Sequence, residues 1–226
     1  MEHEILYRPS YSLLVLRMQS GEEVVAETGA MVSMSNSIEV KTDTRGGLLS
    51  GLKRSVLGGE SFFINTFRAN SSGEISFAPA LAGDITHLEL RGQEVFAQSG
   101  AYLASAKSVE VDTKWGGGKS FFAGEGLFLL RLTGIGDVWL SSYGAIHEKV
   151  LGPGETYVVD TGHIVSFDGS MRYDVRKIGG LKTTFFGGEG LVADFTGPGR
   201  LLMQTRGPAS FLDWLVPKLP KQSGNN

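Results

Sequence analysis

Three glutamates stand at matching places in three similar stretches. They are Glu60 in GLKRSVLGGESFF (Gly51–Phe63), Glu125 in GGGKSFFAGEGLF (Gly116–Phe128) and Glu189 in GLKTTFFGGEGLV (Gly180–Val192). If the stretches lie about a common axis, the carboxylates converge and become candidate ligands for a cation. In the competing reading each carboxylate accepts backbone N–H bonds inside its own Gly-Glu turn. A fold element must recur with every unit and an active site need not, so the recurrence favours the turn. Gly118-Lys119-Ser120 looks like the end of a phosphate-cradling loop, but that loop needs a glycine where this chain has Thr113. Lys119 and Ser120 therefore belong to the repeated unit.

The histidines His3, His87, His147 and His163 show no H-x-H or H-x-x-x-H spacing, so no local metal frame exists. His163 lies in LGPGETYVVDTGHIVSFDG (Leu151–Gly169), which resembles the second cupin motif, where a histidine in this context binds metal. The first cupin motif is missing, and Ala30 and Ala101 hold the same slot in the other repeats. A satisfied or surface histidine is the expectation, and no cofactor is expected. Glu60, Glu125, Glu189 and His163 are the positions to watch if a metal is bound. There is no cysteine and no Gly-x-Ser-x-Gly elbow, and the carboxylates are dispersed, so no catalytic residue is assigned and the chain is expected not to be an enzyme.

Basic residues flank the Gly-rich turns: Arg45, Lys53, Arg54, Lys107, Lys114, Lys119, Arg176, Lys177 and Lys182. If equivalent turns gather at one pole, Arg45, Lys53, Arg54, Lys119 and Lys182 form a contact for an anionic surface. Between Gly46-Gly47 and Gly58-Gly59, Leu48, Leu49, Leu52 and Val56 take helical spacing, which suggests a short surface helix. Net charge is −3, so nucleic acid is a disfavoured partner. No run of 18 apolar residues is present, and the segment MEHEILYRPS reads as neither signal peptide nor anchor, which gives a soluble cytoplasmic protein as the expectation.

The elements that must position these residues are strands. Glycine supplies 32 of 226 residues, about twice its usual share, spread in pairs that mark tight turns. Apolar or alternating runs fall at Ser12–Met18, Val24–Met34, Ser37–Thr42, Ser61–Phe67, Glu94–Ser105 and Thr156–Phe167. Gly126–Leu132 is apolar on both faces, as a strand buried on two sides would be. A second recurring signature is ETGAMVSM from Glu27, QSGAYLAS from Gln98 and DTGHIVSF from Asp160. A third opens apolar runs at Ser72-Gly73-Glu74-Ile75, Gly136-Asp137-Val138 and Gly199-Arg200-Leu201. Three ordered signatures, each found three times, predict a triplicated unit.

The fold class expected is all-β: three pseudo-threefold-related β-sandwich or double-stranded β-helix units in one compact chain. The repeats cover about 5–80, 81–147 and 148–207, followed by a helix over 208–216 and a polar tail over 217–226. Pro208 suits the first helical turn and Pro217 stops it.

AETGAMVSM (Ala26–Met34), GGLLSGLKRSVLGGESFF (Gly46–Phe63), GEGLFLLRLTG with LSSYGAI (Gly124–Ile146), and VVDTGHIVSFD through FTGPGRLLMQTRG (Val158–Gly207) carry a family resemblance. They resemble the AIM-type proteins, the altered inheritance of mitochondria family, as a prokaryotic member. That resemblance implies a fold like the tryptophan RNA-binding attenuation protein, a link to membrane organisation and complex assembly, and no established catalytic activity. The first reading is thus a non-enzymatic binding or scaffolding protein, with a protein complex or an anionic membrane surface as partner and a place peripheral to the membrane. A homo-oligomer is left open. The alternatives are a cupin-like metal-dependent binder or enzyme and, more weakly, nucleic-acid binding.

Overall fold

A computed structural model describes residues 1–41, 53–57, 60–112, 121–122, 127–178 and 191–220. The first third of the chain forms β1 (Glu2–Leu6), β2 (Leu13–Met18), β3 (Glu23–Glu27), β4 (Met31–Met34), β5 (Ile38–Lys41), β6 (Lys53–Leu57), β7 (Glu60–Ala69) and β8 (Gly73–Phe77). The second forms β9 (Ile85–Arg91), β10 (Val95–Gln98), β11 (Tyr102–Ala106), β12 (Val109–Asp112), β13 (Phe121–Phe122) and the long β14 (Leu127–Ser141). The third forms β15 (Ile146–Leu151), β16 (Thr156–Asp160), β17 (Ile164–Asp168), β18 (Arg172–Lys177), β19 (Leu191–Thr196) and β20 (Gly199–Gln204), and α1 (Pro208–Leu215) closes the order. The described residues are therefore all-β with one short C-terminal helix, as the patterning predicts.

The same antiparallel ladders occur in each third. β2–β8, β9–β14 and β15–β20 are one set. β3–β7, β10–β14 and β16–β19 are the next, followed by β4–β8, β11–β14 and β17–β20. β5–β7, β12–β14 and β18–β19 complete it. β14 does in one piece what β7 and β8 do separately. Even the irregularities coincide, since the register shifts between Met31 and Ser33, between Tyr102 and Ala104, and between Ile164 and Ser166. These are β-bulges, which bend a strand at a fixed place.

The third signature has a steric cause. A Cβ on Gly73 or Gly136 would run into the hydroxyl of Ser37 or Ser108, and one on Gly199 would run into the Met171 side chain, with the hydroxyl of Ser170, the matching serine, 3.2 Å away. In the second signature, Gly29 adopts φ +91°, a left-handed conformation that glycine reaches at no Cβ cost.

Two further ladders join the thirds: β3 pairs with β11, and β10 with β17. Strands of all three thirds thus share the largest sheet among the described residues. A threefold arrangement would need a corresponding junction between the third and first parts. Among the described residues there is none.

The core follows these junctions. One cluster centres on Tyr102, Phe128, Leu130 and Leu140 and takes Val25 and Ile64 from one side and Val165 and Leu202 from the other. A second surrounds Leu14, Phe67 and Phe77 and includes Leu103 and Trp139. A third surrounds Phe167, Phe195 and Leu201 with Phe96 and Leu129. The strand expected to be apolar on both faces is β14, whose Phe128 and Leu129 feed different clusters.

One expectation is corrected. The surface helix proposed around Lys53, Arg54 and Val56 is not a helix there: Lys53–Leu57 is strand β6, paired with β7 from Lys53 opposite Ile64 to Leu57 opposite Glu60. Cross-strand pairing to a long partner outweighs a helical spacing of four apolar residues. The neighbouring Leu48, Leu49 and Leu52 lie outside the described residues.

Candidate functional site

The candidate residues divide sharply by location. Arg45, Lys119, Lys182, Glu125 and Glu189 lie outside the described residues. Lys53, Arg54 and Glu60 have defined backbone positions on the β6–β7 hairpin, with Glu60 opening β7 opposite Leu57. His163 is fully described: its Nδ1 lies 2.7 Å from the Gln204 carbonyl oxygen, and Gln204 Nε2 in turn donates to the Gly162 carbonyl at 2.8 Å. The ring thus ties the β16–β17 turn to the end of β20. Among the described residues no group of histidines, aspartates and glutamates is placed to hold a metal ion. Arg176 is engaged in a two-pronged pair with Asp194, with Nη2 3.0 Å from Oδ1.

Sequence reading missed two polar clusters, because their members are far apart in the chain. Arg8 grips Asp84 with two bonds of 2.8 Å, and the Ser12 hydroxyl adds a third at 2.9 Å. Burial alone would push the Asp84 carboxyl up, but the bonds from Arg8, Ser12 and the Ile85 N–H hold it below the usual range. Near β1, His87 Nε2 lies 2.8 Å from Asp137 Oδ1, and the His3 ring packs 4.2 Å from His87. Burial, then the neighbouring His87, lowers the His3 pKa. Both clusters fasten the first third to the second.

A third missed group is Glu27, whose carboxyl is pushed up to about 7 by burial. It occupies the slot of Gln98, whose side-chain amide donates to the Thr161 carbonyl across the next junction at 3.3 Å. Asp160 fills the slot in the last third and accepts from the Gly162 N–H at 2.9 Å. The signal was present in sequence, as Glu, Gln and Asp opening the second signature, but burial is a tertiary property.

The most distinctive surface is the C-terminal helix. Gly207 and Pro208 start α1 with Pro at its first turn, where a missing N–H costs nothing. Phe211 packs edge-on against Tyr143 at 5.9 Å and fixes the helix to the sheets. Beyond that anchor, Leu212, Trp214, Val216 and Leu219 are 52–58 % exposed. Lys218 Nζ sits 4.7 Å from the centre of the Trp214 ring, a cation–π geometry. Large apolar side chains standing in water along one short segment, with an ammonium over the aromatic one, suit contact with another surface. No helix among the described residues is long and apolar enough to cross a membrane.

Comparison with known proteins places this arrangement among relatives. Residues 3–206 match the family described as mitochondrial biogenesis AIM24. An uncharacterised protein of Streptococcus pyogenes serotype M6 is 28 % identical over 221 residues, covering 94 % of this chain and 89 % of its own. The X-ray crystal structure of a Streptococcus pyogenes protein superposes with a TM-score of 0.78 at 26 % identity, covering 96 % of this chain and 99 % of that one.

Proposed function

The chain belongs to the mitochondrial biogenesis AIM24 family, and from that premise we propose that it is a non-enzymatic binding and scaffolding protein that docks on an anionic membrane surface where a complex is assembled. The observation that carries this reading is the exposed apolar end formed by Leu212, Trp214, Val216 and Leu219, with Lys218 beside Trp214. A tryptophan that is 58 % exposed, beside a lysine whose stem is apolar, suits the boundary between water and acyl chains. The helix is short, so it needs a second contact, and the basic residues Arg45, Lys53, Arg54, Lys119 and Lys182 are assigned that role. The recurrence of the ladders supports reading the chain as three like units, of the double-stranded β-helix or sandwich type.

Cosedimentation with vesicles tests this directly. Phosphatidylglycerol-rich vesicles should bind the protein and neutral phosphatidylcholine vesicles should not, and raising the salt should weaken the binding. Trp214→Glu should reduce it about tenfold, because one large apolar contact is lost and a like charge is placed at the surface. Failure of the wild-type chain to bind anionic vesicles at low salt would sink the membrane reading. A stoichiometric metal lost in His163→Ala or Glu125→Gln would move the assignment to the cupin-like alternative.

A further inference from the structure

The two junctions between thirds are copies of one another. In the first, Val24, Val25 and Ala26 of β3 pair with Ala106, Ser105 and Ala104 of β11. In the second, Val95, Phe96 and Ala97 of β10 pair with Asp168, Phe167 and Ser166 of β17. Counted from the turn glycines Gly29, Gly100 and Gly162, the registers are the same. At each junction the bulge residue of the later third enters the core of the earlier one: Leu103 joins the cluster around Phe77, and Val165 the cluster around Tyr102.

Two halves of such a junction remain unused. The free edge of β16 is the donor half and that of β4 the acceptor half, and neither has a second partner strand among the described residues. Exposure shows the consequence. Val158 is 48 % exposed where its counterparts Val25 and Phe96 are 6 % exposed. Val32 is 57 % exposed where Leu103 and Val165 are fully buried. Met31, Met34 and Tyr157 are also more than a third exposed. Monomeric proteins blunt such edges with lysine, proline or a covering element. The strands MVSM and TYVVD carry neither lysine nor proline.

We propose that these edges are the two faces of a head-to-tail interface between copies of this chain. β16 of one chain pairs antiparallel with β4 of the next, Val159 opposite Ser33, Val158 opposite Met34 and Tyr157 opposite Ser35. Val32 then enters the core of the preceding chain's last third, as Leu103 and Val165 do within the chain. Among the described residues both edges are open, so they do not pair with each other. A contact between unlike faces propagates, and it closes into a ring or grows into a filament.

The test is the mass in solution against concentration, by sedimentation or light scattering. The wild-type chain should grow beyond one copy as concentration rises into the micromolar range. Val32→Lys and Val158→Lys, both at exposed sites, should each be folded monomers. Mixed together, they should form a one-to-one dimer and nothing larger, because each retains one working face. The chain has no native cysteine, so the register can be read directly. A Met34→Cys chain mixed with a Val158→Cys chain should oxidise to a covalent dimer, and Met31→Cys in place of Met34→Cys should not. A wild-type chain that stays monomeric at all concentrations would overturn the proposal. So would an internal disulfide in a monomer carrying both Met34→Cys and Val158→Cys, or assembly that both lysine variants leave intact.

Discussion

At the scale of single residues, two groups set how this protein responds to acid and to mutation. Glu27 has a folded pKa of about 7 against an ordinary 4.5. Between those values the unfolded chain loses its proton and the folded chain keeps it, so stability falls as pH rises from about 4.5 to about 7. The full effect is on the order of 3 kcal/mol, by the usual conversion of pKa shift to free energy. Glu27→Gln, which installs the residue found in the matching slot at position 98, should flatten this slope and leave the variant at least as stable at pH 8. Denaturant melts from pH 4.5 to 8 would show it. Asp84 behaves oppositely: its stabilisation is present above the ordinary aspartate pKa and is lost as pH falls below it. Arg8→Ala leaves that buried carboxylate with fewer donors, at a cost of about 1–3 kcal/mol, kept modest because the guanidinium is half-exposed. A midpoint unchanged by Arg8→Ala would mean the cluster contributes nothing. None of this was legible in sequence, since Arg8 and Asp84 are joined only by folding, whereas the default reading of His163 as a hydrogen-bonded ring agrees with its bond to Gln204.

At the scale of elements, matched positions do different work according to what covers them. Leu103→Ala should cost about 2–5 kcal/mol, because it opens a cavity at a buried junction. Val32→Ala, at the equivalent bulge, should leave the chain's unfolding midpoint unchanged within about 0.5 kcal/mol, because the side chain is already in water. Equal losses at both sites would contradict the correspondence drawn between the bulges. Many strands were legible, among them β2 to β5, β7, β10, β11, β16, β17 and the start of β14, because alternation and turn glycines are local signals. The helix beginning at Pro208 was also legible, through its proline and the Phe211–Leu215 spacing. The segment around Val56 was misread because four apolar residues fit a helix and a hairpin arm alike, and only the pairing of Lys53–Leu57 with β7 decides.

At the scale of the whole molecule, the proposed head-to-tail contact would cover the edges of β16 and β4, which have no second partner strand among the described residues. The protein should therefore show different apparent stability at different concentrations, with the melting midpoint rising as edges become covered. Val158→Lys should remove that concentration dependence while keeping the midpoint of the dilute wild-type chain. The proposed vesicle binding through Trp214 belongs to the same scale, since the helix and the basic residues would act together only if the sheets hold them on one body. The sequence by itself determined the all-β class, the recurrence of three signatures, the closing helix and the family resemblance. Those depend on local periodicity, turn chemistry and identity, all of which are written along the chain. Only folding sets the pairing of β3 with β11 and of β10 with β17, the lack of a third–first junction among the described residues, and the exposure of Val32 and Val158. Burial and pairing depend on which surfaces meet in space, and similar sequence signatures carry no mark of which one will be covered.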